Sequence, residues 1–201
     1  MDKNDLLKHI AETAYNVGYG AKKHFATYDI VDKAPGLISF ISMAVGVFAL
    51  YIDSLSTKSL SATFIVLGVA GLYMTFYDSK KQNYADAGVQ LTQLFNELKT
   101  LYETVKSAPD NDLQKLQVKL SDIENRFYPV CISKQILLSD WYAHYKFFWQ
   151  HQIDWVDEQK HFKLFRDKLP LTFTISVALV LISLSFWGLD LVEKFCNTSV
   201  P

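Results

Sequence analysis

The sequence predicts an all-α membrane protein: a transmembrane hairpin, a cytoplasmic helical bundle with a coiled-coil stalk, and a third transmembrane helix. Two observations carry this prediction. Charge is absent from three long windows, and outside them apolar residues recur at steps of three and four. Across 201 residues the chain is 50% hydrophobic and 20% charged, with a formal net charge of −1. Such an average would pass for a soluble protein. The segregation decides otherwise. No charged residue occurs for 19 positions from Ala34 to Ile52, for 19 from Ser59 to Tyr77, or for 21 from Leu169 to Leu189. At about 1.5 Å per residue each window reaches roughly 28–32 Å, the thickness of a bilayer's hydrocarbon layer.

The elements follow in order. Residues 1–33 form a lead-in helix, with Leu6, Ile10, Ala14, Val17, Ala21 and Phe25 on one face. Gly18 and Gly20 either weaken it or let something pack closely. The hairpin occupies 34–77, with spans at 34–52 and 59–77. Pro35 and Pro170 stand at window entrances, where a missing N–H costs nothing, so both are read as helix starts. Residues 78–168 form a three-helix module. Its first helix carries Tyr84, Ala87, Leu91, Leu94, Leu98, Leu101 and Val105, a coiled-coil seam three heptads long. Ser107 to Asn111 is a break. Leu113, Leu116, Leu120, Ile123 and Phe127 repeat the rhythm, and a last helix runs from about Ser133 to Lys168. The third span is 169–189, and 190–201 is a tail. The late start and the length of the first window set it apart from a cleaved signal.

Basic residues orient the chain. Residues 1–33 and 78–168 hold 18 Lys and Arg, and the other side holds only Lys58 and Lys194. The positive-inside rule then puts the N-terminus and the module in the cytoplasm and the C-terminus outside. The module also holds 18 acidic residues when counted with the lead-in. That neutral balance gives no sign of duplex nucleic-acid binding. Cys131 is expected as a reduced cytoplasmic thiol, and Cys196 lies across the bilayer from it.

The residues that carry a resemblance are Ala11-Glu12-Thr13-Ala14-Tyr15-Asn16-Val17-Gly18-Tyr19-Gly20-Ala21-Lys22-Lys23-His24-Phe25. To them belong Pro35-Gly36-Leu37-Ile38-Ser39-Phe40-Ile41-Ser42, and Phe76-Tyr77-Asp78-Ser79-Lys80-Lys81 through Tyr84-Ala85. In this spacing and context, over residues 8–106, the chain resembles the SLATT family, two-transmembrane effector domains associated with bacterial antiphage defence. The resemblance implies a pore-forming effector of the bacterial inner membrane. It also implies a trigger, a nucleotide or oligonucleotide made by a neighbouring nucleotidyltransferase. The third span lies outside the two-span plan.

Candidate functional residues follow from the chemistry of each part. Ser39, Ser42, Gly46 and Ala49 in the first span and Ser61, Gly68, Gly71 and Thr75 in the second are small-residue faces that let helices approach. They are expected to pack mainly on each other, with Gly46, Gly68 and Gly71 also candidates for packing between copies. Thr172, Ser176 and Ser183, with Trp187 further along, form a hydroxyl stripe that could line water or bond back to its own helix. The spans contain no charge of the kind proton-coupled transport needs. Three helices enclose little of a path, so a conduit requires a homo-oligomer, a tetramer being one such assembly, with Leu91, Leu94, Leu98 and Leu101 as its packing seam. Lys22, Lys23, Lys80 and Lys81 are candidate phosphate ligands, although anchoring of topology explains them equally well. No cofactor, metal or catalytic residue is expected: phosphate loops and nucleophile elbows are missing. His151, Asp154, Glu158 and His161 supply only part of a di-iron ligand set. The aromatics from Trp141 to Trp155 read as bundle core or as a stacking surface for a nucleobase. The rival reading is a non-conducting anchor that recruits a partner through the stalk.

Overall fold

The computed structural model describes residues 2–151 and 153–198, with side chains as far as Ser185 apart from those of Asp110 and Phe165. The described residues are helical or looped and contain no strand. They divide into two units, Met1–His161 and Phe162–Pro201.

The first unit is organised by α1 (Lys3–Phe48), 46 residues long. Asp2 caps it by accepting from the Asp5 N–H at 2.8 Å, which satisfies one of the orphan donors of a first turn. The lead-in helix and the first apolar window are therefore one helix, and Pro35 lies inside it rather than at its start. Proline removes the bond that the Val31 carbonyl would have accepted and costs on the order of 3 kcal/mol in a helix interior. Both flanks nevertheless hold the helical course. Val31 is buried with Tyr77, Tyr84 and Ile136, and an apolar segment in lipid must satisfy its backbone internally.

A short 3-10 turn, Asp53–Leu55, leads to α2 (Lys58–Asp78), whose first turn is capped by Thr57 Oγ1 accepting from the Leu60 N–H. Among the described residues these two helices are long and apolar enough to cross a membrane, and almost none of either apolar window is buried within the protein. The glycines of the small-residue faces are not closely packed within the chain. A Cβ placed at Gly46, Gly68 or Gly71 would meet no atom within 4 Å. The half-buried positions include Ser42 and Ala49 on the first face and Gly71 on the second, together with the bulkier Leu60, Phe64, Leu67 and Met74 on α2.

The core is formed by α1 and α3 (Lys81–Ser107). Their contacts run antiparallel: Phe25 meets Gly88, Gly18 meets Phe95, and Lys3 reaches the Ala108 carbonyl at 3.0 Å. Every member of the predicted seam on α3 is buried, as are Leu6, Ile10, Ala14, Val17 and Ala21 on α1. The seam therefore closes on the lead-in helix of the same chain. The helix α4 (Leu113–Phe127) adds Leu113, Leu116, Leu120 and Ile123 to the core.

The stretch expected as one helix from Ser133 to Lys168 is instead two short ones, α5 (Ser139–Phe148) and α6 (Asp154–Lys160). Leu138 and His161 adopt left-handed backbone angles, at φ 68° and 50°. Ring packing overrides a weak helical preference here. Phe147 is fully buried against α1 at Gly18, and Trp155 packs on Phe95 and Tyr102.

The second unit contains a π-helical turn, Leu164–Lys168, and α7 (Leu171–Thr198). Pro170 does stand at a helix entrance, its carbonyl accepting from the Thr174 N–H at 3.1 Å. The helix continues beyond the expected end of the third span at Leu189. Its described apolar part is Leu171–Ser185, and the side chains of Trp187 and Cys196 lie outside the described residues.

Candidate functional site

The antiparallel pairing of α1 with α3 sets one basic group from each helix within electrostatic reach of His151. Gly18 rests on Phe95, and because the helices run in opposite directions Lys22, one turn after Gly18, and Lys99, one turn after Phe95, lie on opposite sides of that contact, about 12 Å apart along the axes. His151, in the link between α5 and α6, stacks on Phe95 with ring centroids 4.8 Å apart. A groove of about 350 Å³ opens here, lined by Phe95, Asn96, Lys99, Gln150 and His151.

Its electrostatics are one-sided. Among the described residues neither Lys22 nor Lys99 has a carboxylate partner. Burial, and then Lys146, lower the proton affinity of Lys22. Burial, and then Lys22 and Lys99, hold the His151 imidazole at about 4 against an ordinary 6.5. The His151 Nδ1 is buried without a hydrogen-bond partner. Uncompensated cations beside amide groups in a concave surface favour an anion. The groups lining the groove can bind one through Lys99 and the Asn96 and Gln150 amides, with Lys22 adding positive charge from outside it.

The four lysines singled out from sequence are not brought together. Lys23 pairs with Asp140 at 2.8 Å, and Lys81 with Asp32 and Asp78 at 3.1 and 3.2 Å. Lys22 and Lys80 have no ion-pair partner among the described residues, and Lys80 lies beside the end of α2, far along the helices from Lys22. Lys99 and His151 were not identified as a pair with Lys22 from the sequence. Only the packing of the α5–α6 link on Phe95 relates them, through His151.

The remaining polar clusters are internally satisfied. A larger groove of about 550 Å³ between α3 and α4 is bordered by Glu97, Asp122 and Arg126, which pair with one another. Tyr19 lies 2.8 Å from His144 Nδ1 and 3.4 Å from Asp140. Burial, and then the Asp140 charge, push the Tyr19 phenol further up, the opposite of an activated nucleophile. Of the incomplete di-iron set, Glu158 is held by Lys106 at 2.8 Å, and His161 ends α6 in the left-handed region. Phe147 belongs to the core, whereas Tyr145 and Trp149 are exposed.

Leu91, Leu94, Leu98 and Leu101 are consumed inside the chain. On α7, Thr172 and Ser183 are exposed and Ser176 is half-buried. The neighbouring Thr174 and Ser185 hydroxyls bond back to the Pro170 and Leu181 carbonyls at 3.2 and 2.8 Å.

The family described as SMODS and SLOG-associating 2TM effector domain 6 matches residues 1–177. The chain belongs to this family. No curated protein and no solved structure matches it significantly. Two helices that can cross a membrane, α1 and α2, agree with the family's 2TM description. The match reaches well past the resemblance seen in residues 8–106 and ends early in α7, so most of the third apolar helix lies beyond it.

Proposed function

We propose that this SLATT-family chain is a homo-oligomeric membrane effector of bacterial antiphage defence. Copies assemble around a gated pore that depolarises the inner membrane when a cytoplasmic nucleotide or oligonucleotide binds. The reading places the N-terminus and the α3–α6 module in the cytoplasm, in keeping with the basic-residue count, and the C-terminus outside. One observation supports assembly above the others. Gly46, Gly68 and Gly71, the glycines of the small-residue faces of α1 and α2, have room for a close neighbour that the chain does not supply, and such positions drive helix association in lipid. Two or three helices enclose no conduit of their own, so copies must supply the rest. The groove at Lys99 and His151, within the field of Lys22, offers phosphate groups a counter-charge on the side that would receive the signal. The rival anchor loses its main device, because the seam meant to recruit a partner is buried against α1.

The test is induced expression in a bacterium loaded with a potential-sensitive dye. Depolarisation and growth arrest are expected, with both reduced by Lys22→Gln plus Lys99→Gln at equal membrane abundance. A membrane potential that stays intact with and without phage infection, at confirmed expression, would sink the pore reading. Full depolarisation by the double variant would sink the role of the groove alone.

A further inference from the structure

The connection from α4 to α5 carries a feature that neither the pore nor the anion groove uses. Ile136 is buried and accepts a hydrogen bond from the Ser139 N–H at 3.2 Å, closing a four-residue turn. The two residues at its tip are leucines, Leu137 at 71% and Leu138 at 52% exposure. Leu138 has φ 68° and ψ −2°, the geometry of the third residue of a type II turn, where glycine or asparagine is normal. A tip that is apolar, exposed and left-handed at a residue with a branched side chain is costly in water.

Its position in the fold identifies what covers it. Ile136 packs with Val31, Tyr77 and Tyr84, and Tyr77 is the last residue of the second uncharged window. The Tyr77 hydroxyl reaches the Gln135 carbonyl at 3.4 Å, and the Tyr84 hydroxyl donates to the Lys134 carbonyl at 2.6 Å. The turn is thus fastened beside the inner end of α2. Leu137 and Leu138 lie at most about 3.8 and 7.6 Å of chain beyond Ile136. The polar layer flanking the hydrocarbon is itself about 5–8 Å deep on each side. Lys134 stands 5.1 Å over the Tyr77 ring, and Lys80 is unpaired nearby, so the rim of the turn is basic, as a surface facing anionic headgroups should be.

We propose that the Leu137–Leu138 turn inserts into the cytoplasmic headgroup layer of the bilayer and fixes the module to the membrane surface. The proposal rests on the membrane reading of α1 and α2 but not on a pore. Apolar side chains at an interface and basic ones at its edge are the two parts of interfacial anchoring.

The test uses full-length protein with Cys131→Ser and Cys196→Ser, reconstituted into phosphatidylcholine vesicles with and without phosphatidylglycerol. Single cysteines at Leu137→Cys, Leu138→Cys, Val118→Cys and Val66→Cys carry an environment-sensitive nitrobenzoxadiazole label. All four native side chains are exposed, so substitution should not disturb folding. The Leu137 and Leu138 labels are expected to lose roughly half their emission to lipids bearing a nitroxide near the headgroup, and little to aqueous iodide. Val118, on α4, should show the reverse. Val66, in mid-window, should respond to a nitroxide deep in the acyl chain. Phosphatidylglycerol should strengthen lipid quenching at the turn, and Lys80→Gln with Lys134→Gln should remove that increment. Iodide quenching at Leu137 and Leu138 equal to that at Val118 overturns the proposal, as does shielding from both quenchers, the sign of a second copy covering the turn. Absence of deep quenching at Val66 would instead overturn the membrane reading beneath it.

Discussion

Gly18 and Gly20 lie two residues apart on α1, yet alanine should act with opposite sign at the two. At Gly18 an added Cβ would sit 2.7 and 2.8 Å from ring atoms of Phe95 and 2.9 Å from Phe147. Neither ring can move aside. Phe95 is 2% exposed and wedged by His151 and Trp155, while Phe147 is 0% exposed and edge-packed on Tyr15 and Phe148. Overpacking of this kind costs about 1–3 kcal/mol, against which alanine's better helix propensity returns about 1. At Gly20 the new Cβ would meet Leu91 at 3.6 Å and Phe127 at 3.8 Å, ordinary contact distances. There only the propensity gain applies, about 1 kcal/mol of stabilisation. Gly18→Ala and Gly20→Ala should therefore differ by roughly 1–3 kcal/mol. At about 2–4 °C per kcal/mol that separates their midpoints by roughly 2–12 °C. Thermal melts followed by helical circular dichroism in one detergent would measure it. If Gly18→Ala melts at or above Gly20→Ala, the close approach of α1 to α3 is misdescribed.

The buried seam should behave as core: Leu98→Asp places a charge at a fully buried position and should abolish folding and membrane accumulation, whereas Val118→Asp, on an exposed face, should melt within about 1 °C of wild type, both read by expression and thermal melts. His24 is held neutral, its Nδ1–H donating to the Gly20 carbonyl at 2.7 Å and its Nε2 accepting from the Ile132 N–H at 3.0 Å. Burial lowers its proton affinity, as it does that of His151. Below the ordinary value of about 6.5 the unfolded chain thus takes up protons that the folded one refuses, and stability should fall as pH drops from about 6.5 towards 4. Melts at several pH values should show this slope flattened in His24→Gln plus His151→Gln. For topology, a reporter active only in cytoplasm should work after Asn111 and fail after Asn197; the opposite pair would overturn either the orientation or the span count.

What was legible in the sequence was whatever a single periodicity could carry. The faces of α1, α3 and α4 could be read because leucine, isoleucine and valine recur at helical spacing, and each of those faces is buried. Which helix the α3 seam would meet could not be read. A heptad seam fits a second copy as well as it fits the lead-in helix, and only Gly18 against Phe95 and Gly88 against Phe25 decide for the latter. The split into α5 and α6 escaped because Trp141, Tyr145, Phe148 and Val156 keep a helical rhythm even though the chain turns between them. Pro35 was misread for a related reason. A proline at the entrance of an apolar window fits the start of a helix, and the packing of Val31 that carries the helix through it involves residues far along the chain. The anion groove escaped for the second of these reasons, since it joins α3 to the α5–α6 link.

The continuity of α1 has a mechanical consequence for any signal received by the module. The segment that forms the module's core, from Leu6 to Val31, and the segment that enters the membrane share one hydrogen-bonded helix. A displacement of α1 against α3 at the groove cannot be absorbed by a loop, because none lies between the groove and the bilayer. The first compliant point is Pro35, where the Val31 carbonyl lacks its usual donor. Lys22 precedes it by about 20 Å along the helix axis. The collar below Pro35 opposes bending: Val31 and Tyr28 pack with Tyr77 and Ile136, and Asp29 bridges Lys33 and Lys146. Rotation or tilt generated at Lys22 and Lys99 would therefore pass through a stiff collar and emerge at a single weakened turn, just before the small-residue face of Ser39, Ser42 and Gly46. Removing the proline should stiffen that turn and change where the motion emerges. Pro35→Ala restores the missing bond and is expected to leave folding and anion binding at the groove unchanged while altering the anion-triggered depolarisation proposed above. Unchanged depolarisation in Pro35→Ala would show that the signal reaches the membrane by another element, with α3 through Tyr84 and Tyr77 the next to test.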